Sequence, residues 1–196
     1  MTARTTMANL ITELRGMTEA GTADYTISAS LYWSDDQIQD ILDIHRDDIR
    51  FQQLQALPNT TTGGTLLYYD YKAQAGYLEA TNGGTAVTYL QDSTGATLGT
   101  ALWTADYRRG MFSFNSTTNG TVIYLTSRAY DLNAAAADVW RRKAAHVAPT
   151  SFDFTTDNHS ISRSQVYAHS LEMADYFENK SQGAITTVQM FRSDTC

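Results

Sequence analysis

The sequence predicts an α+β protein, a small α-helical bundle with an inserted antiparallel β-rich subdomain and extended terminal arms. Three observations predict it. Apolar residues recur at helical spacing near both ends of the chain, with cap residues in place. Between about 65 and 126 that period gives way to short runs rich in Tyr, Thr, Val and Phe, divided by Gly and Asn. Residues 16–33 and 181–196 are polar or Gly/Thr-rich and carry no strong period. The organisation expected is 1–64 for the N-terminal helices with an arm at 16–33, 65–126 for the β insertion, 127–180 for a helical pair and 181–196 for a C-terminal arm.

The first helix is expected over 6–15. Thr6 is its cap, Met7, Leu10, Ile11 and Leu14 form its apolar stripe, and Gly16 ends it. A second helix is expected from Asp35 to about Arg50. Ser34 and Gln37 make a capping box, and Ile38, Ile41, Leu42, His45 and Ile49 share one face. The runs LLYYDY, GYLEA, TAVTYLQ, LGTALW, GMFSFN and TVIYLT read as short strands. Asn82-Gly83-Gly84, Asp92-Ser93-Thr94-Gly95 and Asn119-Gly120 read as turns, because Asn and Gly tolerate positive φ. FSFNSTTNGTVIYL reads as a hairpin, with Phe112 and Phe114 on one face.

Helical spacing returns with Leu132, Ala136, Val139, Lys143 and Val147, flanked by Trp140 and stopped by Pro149. The run Ala134–Ala137 favours helix and lets a neighbouring helix come close. After a polar loop, a last helix is expected from about Ser162, with Gln165 completing a second capping box. Its stripe is Val166, Ser170, Met173 and Phe177.

Composition narrows the function. A chain of 196 residues suits one domain with a sizeable insertion and can bury a core without staples. The net charge of −7 is a poor match to wrapping DNA phosphates, yet suits a conduit wall to which DNA must not stick. The single cysteine, Cys196, permits no intrachain disulfide. No leader pattern and no apolar run of about 20 residues is present, so synthesis inside the cell and no membrane span are expected.

The chemistry-bearing residues form no recognisable catalytic set. There is no nucleophile elbow, Walker loop, dinucleotide fingerprint or short His-x-x-x-His spacing, so a non-enzymatic protein without cofactor is expected. On a helix over 35–50, Asp36, Asp40, Asp43 and Asp47 fall in one stripe opposite the apolar face. Carboxylates on a single helix all point the same way and cannot enclose a cation, so the stripe reads as a solvated face or a contact surface rather than a metal site. Arg141, Arg142 and Lys143 form the one basic cluster on a helix, near its C-terminal end where cations are favoured. They read as solvated or paired, and a charge pairing with the Asp stripe of a neighbouring subunit is one expectation. His45 reads as a satisfied core histidine. The tyrosines read as strand and interface residues.

Several phrases carry a family likeness: LYWSDDQIQDILDIHRDDI (31–49), TADYRRGMFSF (104–114), YLTSRAYDLNAAAADVWRRKAAHVA (124–148), FDFTTDNHSISRSQVYAHSLEMADYF (152–177) and VQMFRSD (188–194). With these the chain resembles the head–tail connector, or adaptor, proteins of tailed bacteriophages. The resemblance implies a helical-bundle core assembling into a homo-oligomeric ring, usually twelve-fold, beneath the portal protein. Such a ring sits in the virion neck, extends the DNA channel without binding DNA specifically, and offers a platform to the tail or the next neck ring. It also implies that the C-terminal arm docks on the portal, which here points to Val188, Met190, Phe191 and Arg192. The β insertion departs from the minimal all-helical adaptor. A tail-completion or tail-terminator protein is the alternative within that class. A soluble carbohydrate-binding module using the Tyr- and Trp-bearing β region is the alternative outside it.

Overall fold

The structure, a computed structural model, describes residues 3–22, 25–27, 30–80, 87–150, 153–156, 159–162 and 164–181. It is α+β. A short 3-10 turn, Thr5–Met7, leads into α1 (Ala8–Thr18). A two-stranded hairpin, β1 (Tyr25–Ile27) and β2 (Ser30–Tyr32), precedes α2 (Asp35–Ile44). Seven strands follow: β3 (Arg46–Gln53), β4 (Gln55–Thr60), β5 (Leu66–Lys72), β6 (Tyr89–Gln91), β7 (Trp103–Asp106), β8 (Met111–Phe114) and β9 (Tyr124–Tyr130). Then come α3 (Leu132–Val147), a hairpin of β10 (Asp153–Thr156) and β11 (His159–Ser162), and α4 (Ser164–Ser181).

Two apolar clusters hold these elements. The first gathers Met7 from the 3-10 turn, Leu10, Ile11 and Leu14 from α1, Ile38, Ile41 and Leu42 from α2, Val139 and Trp140 from α3, and Ala174 and Phe177 from α4, with Trp33 among them. Ala135, Ala136 and Ala137 of α3 are buried in the same cluster, and such small side chains permit close helix approach. The second cluster lies between two antiparallel sheets, ordered β3-β9-β6 and β4-β5-β8-β7. It contains Ile49, Tyr71, Leu78, Leu90, Trp103, Phe112 and Leu125. Strand β9 joins the two regions, because its last residue, Tyr130, belongs to the helical cluster while Leu125 and Ala129 belong to the other.

Several expectations hold at residue level. Ser34 caps α2, and the reciprocal bond from the Ser34 backbone N–H to Gln37 Oε1 is 3.0 Å. The apolar stripe of α1 is buried as its spacing requires. LLYYDY, the Phe112 run and the Tyr124 run are strands.

Others are corrected. Helix α2 ends at Ile44 rather than Arg50, and residues 46–53 pair antiparallel with β9. The extra turn and a half would have placed Asp47 and Asp48 against the negative end of the helix dipole. As a strand the same residues place Ile49 in the β cluster and satisfy their backbone through β9. The two larger sheets therefore begin near residue 46, not 65, and a separate hairpin, β1–β2, lies within the stretch expected to be an arm. Gly16 lies inside α1, which runs on to Thr18 and ends at Glu19 in the left-handed region, φ 51°. The expected hairpin over 112–125 does not form, since β8 pairs with β5 and β7 while β9 lies in the other sheet. GYLEA contributes one isolated bridge, Leu78 to Ala129, rather than a strand. The loop between α3 and α4 contains the hairpin β10–β11, and α4 starts at Ser164, so Ser162 lies on a strand rather than at a helix cap. Val166 is exposed, and the buried positions of α4 are Ser170, Ala174 and Phe177.

The β7–β8 turn is clamped by a glycine. Gly110 has φ +64°, and a Cβ there would collide with the Ala75 carbonyl oxygen and the Ala73 side chain. Its carbonyl accepts from the Ala73 N–H at 2.8 Å. Gly110→Ala is therefore expected to cost more than about 1 kcal/mol, with faster amide exchange in β7 and β8 before any other strand. A thermal melt and an exchange map check both parts. An unchanged melt would show that the turn relaxes freely.

Candidate functional site

The most elaborate polar constellation lies where the two clusters meet, around Glu79. This residue follows the Leu78 bridge, and its backbone N–H donates to the Arg128 carbonyl at 2.8 Å. The Glu79 side chain is fully buried. Tyr130 Oη donates to Glu79 Oε2 at 2.7 Å, and Thr6 Oγ1 donates to Oε1. Two arginines flank the carboxylate: Arg4 Nε is 3.2 Å from Oε1 and Arg128 Nη1 is 3.4 Å from Oε2. Arg4 also forms a two-pronged pair with Asp43 of α2, at 2.9 and 2.7 Å. Its backbone N–H donates to Gln39 Oε1 at 2.6 Å.

These contacts decide the charge states. Burial alone would push the Glu79 carboxyl up. The hydrogen bonds from Thr6 and Tyr130 and the charges of Arg4 and Arg128 outweigh it, and hold the carboxyl below the usual range. Burial and the neighbouring Glu79 carboxylate push the Tyr130 phenol up, so it stays a donor. The bond to Asp43 pushes the Arg4 guanidinium up despite its partial burial. The result is a satisfied ionic cluster joining the N-terminal segment, α2, the 73–80 connection and β9. Such an arrangement fixes these elements relative to one another.

An open groove of about 930 Å³ runs between α1 and the β7–β8 turn. Thr6, Leu10, Glu13 and Met17 line one wall, and Tyr77 and Tyr107 line the other. Arg108 spans it to Glu13 at 2.6 Å. Among the described residues, no group of three or more His, Cys, Asp or Glu side chains is placed to hold a metal. Among the described residues, no helix is long and apolar enough to cross a membrane.

The residues singled out in sequence are distributed as follows. Asp36 and Asp40 lie on the outer side of α2, away from Ile38, Ile41 and Leu42. Asp43 turns to Arg4 within the same chain. Asp47 is not on that helix at all but on β3, so the four-carboxylate stripe is cut to three positions because α2 is shorter than its periodicity implied. Arg141 pairs with Glu178 of α4 and lies 3.7 Å from Asp138. Lys143 Nζ donates to the carbonyls of Thr18 and Glu19, at 2.8 and 3.0 Å, and closes the C-terminal end of α1. Arg142 is exposed. His45 is half-buried at the end of α2, with Nε2 2.8 Å from Asp138 Oδ2, so its partner is a surface carboxylate rather than the core. Val188, Met190, Phe191 and Arg192 lie outside the described residues.

Sequence reasoning passed over Arg4, Glu79, Arg128 and Tyr130. The signal available was a lone glutamate inside an apolar run, Tyr77-Leu78-Glu79-Ala80, with no partner within the same stretch. Its partners lie 75, 49 and 51 positions away along the chain.

Comparison of the chain with protein-family models, with curated proteins and with solved structures finds no match.

Proposed function

We propose that this protein is a structural subunit of a phage neck: a head–tail connector that forms a homo-oligomeric ring under the portal, continues the DNA channel and offers a platform to the tail. The observation that carries the reading is where the family-like phrases fall in the fold. Residues 124–148 make β9 and α3, and the phrase at 152–177 runs through β10, β11 and most of α4. The resemblance therefore falls on one continuous packed unit, in which α3 and α4 lie antiparallel, with Ser181 Oγ donating to Asp131 at 2.7 Å. Of its other phrases, 31–49 and 104–114 fall on α2 with β3 and on the β7–β8 hairpin, both of which reach the surface, and 188–194 lies outside the described residues.

Physical features agree with a ring role. The protein carries a net charge of −7, which disfavours retention of passing DNA. Its perturbed buried groups cross-brace elements, as a rigid subunit requires. Portal docking by residues 181–196 is part of the same proposal.

The test is assembly. The chain, alone and mixed with a phage portal protein, is examined by native mass spectrometry and electron microscopy. A closed ring stacked coaxially on the portal is the expected result. A chain that stays monomeric and leaves the portal unbound would overturn the reading.

A further inference from the structure

We infer that Asn119 is a site of spontaneous covalent modification. The backbone nitrogen of Gly120 displaces ammonia from the Asn119 side-chain amide, and water opens the resulting ring to leave aspartate or isoaspartate. The site stands independently of the ring reading above.

Asn119 and Gly120 are the central residues of the turn Thr118–Thr121, in which the Thr121 N–H donates to the Thr118 carbonyl at 3.1 Å. Both have positive φ, 53° and 73°, the signature of a type I′ turn. Asn119 is exposed. Its backbone N–H donates to Thr117 Oγ1 at 3.4 Å, and among the described residues no hydrogen bond holds its side-chain amide or the Gly120 N–H. Two other exposed asparagines of the β region differ. Asn115 Nδ2 donates to the Ala101 carbonyl at 2.8 Å and Asn59 Nδ2 to Asp70 Oδ2 at 3.2 Å. Asn115 is followed by Ser116 and Asn59 by Thr60, whereas glycine has no Cβ to shield the attacking nitrogen.

The step balances. A bond forms from the Gly120 nitrogen to Asn119 Cγ, and the Cγ–Nδ2 bond breaks. The Gly120 amide proton leaves with the side-chain nitrogen as ammonia, and a five-membered imide remains. Water then adds to either imide carbonyl, so the chain continues through the main-chain carbonyl (aspartate) or through the side chain (isoaspartate).

The fold gates this chemistry. Ring closure needs the Gly120 nitrogen on the Cβ side of Asn119, a rotation of roughly 150° from the ψ of about +30° that a type I′ turn holds. The turn is also tied to β5. The Thr118 N–H donates to the Tyr68 carbonyl at 2.9 Å, and Tyr71 Oη donates to the Thr121 carbonyl at 2.9 Å and pairs with Thr118 Oγ1. Tyr71 is fully buried in the β cluster. Modification therefore passes through an opened turn, and its rate follows the population of that opening. Isoaspartate then lengthens the turn backbone by one methylene, which pulls Thr118 and Thr121 away from Tyr71.

The chain is aged at mildly alkaline pH and cut with trypsin. Fragmentation mass spectrometry reads Asn115 and Asn119 in one peptide, residues 110–128. Asn119 is expected to convert while Asn115 stays intact, and to convert faster in the isolated peptide than in the folded chain. Tyr71→Phe is expected to raise the folded-chain rate about fivefold, for an opening about 1 kcal/mol easier. Thr118→Val tests the same ties if thermal melts show that Tyr71→Phe does not fold. Asn119→Gly keeps the positive φ and lacks the reacting amide, so its Tm is expected to survive ageing while that of the wild type falls. An Asn119 that stays intact, or converts no faster than Asn115, would overturn the site. Equal rates in the folded chain and the peptide, or no acceleration in the folded Tyr71 or Thr118 variant, would overturn the gating.

Discussion

Glu79→Gln is expected to destabilise the protein by about 2–3 kcal/mol, and its effect is expected to depend on pH. The glutamate is fully buried among Arg4, Arg128, Thr6 and Tyr130. Removing one member of a buried ionic cluster typically costs about 3–5 kcal/mol, because the partner charges are left without compensation. Both arginines are about one-third exposed, 33% and 37%, and can turn partly to water, which lowers the expected figure. For a chain of this size the change corresponds to roughly 5–10 °C in Tm. The pH dependence has a definite sign. The folded carboxyl is held below its ordinary value, so its contribution is present above the unfolded glutamate range and is lost as pH falls through the folded value. The gap between wild type and Glu79→Gln is therefore expected to be widest near neutrality and to narrow below about pH 4, where an unperturbed glutamate is already mostly protonated. Denaturant titrations at several pH values measure it. A gap under about 0.5 kcal/mol at neutral pH, or one that widens in acid, would show that the cluster does not brace the fold.

The second large effect is expected at Phe112. This side chain is fully buried in the middle of the β cluster, with its ring edge-on to Trp103 at 5.6 Å between centroids. Its strand, β8, lies between β5 and β7. Phe112→Ala removes a ring from a site walled by paired strands that cannot close inward, so the cost is expected at about 3–5 kcal/mol. Because the helices have their own apolar cluster, amide exchange is expected to rise first in β5, β7 and β8, while α3 and α4 keep their protection. Simultaneous loss in all of these elements would mean that the two clusters open as one cooperative unit.

What was legible in sequence follows the range of the interactions. The capping box at Ser34 and Gln37 involves groups three residues apart, and it is present where the letters place it. The stripe of Met7, Leu10, Ile11 and Leu14 runs from the 3-10 turn into α1, and all four side chains are buried. Asp131, the N-cap of α3, accepts from the Asn133 and Ala134 N–H groups at 3.0 Å, a local contact that the sequence reading passed over. Short-range patterning of this kind is enough to predict the α+β class.

Errors fell where a distant partner outweighed a local preference. Residues 46–50 satisfy a helical period, but they become a strand because β9, some eighty positions later, presents an open edge and a site for Ile49. Phe112 to Leu125 has the letters of a hairpin, but the two strands are claimed by different sheets. The candidate sites divide in the same way. Asp40 is exposed on the outer face of α2, as the helical period requires, whereas Asp43, Arg141 and Lys143 take partners from other elements. The Glu79 cluster was out of reach because nothing within ten residues of it names Arg4 or Tyr130.

The sequence by itself therefore determined the fold class, the capping box of α2, the apolar faces of α1 and the first part of α2, and the acidic balance, since each depends on neighbours along the chain or on composition alone; the caps expected at Thr6 and Ser162 do not form. Only the tertiary structure decided where α2 stops, which strands share a sheet, and which charges find partners in other elements of the chain. Those outcomes depend on which distant groups meet and on how much polar surface burial must satisfy, quantities that arise only once the chain has closed on itself.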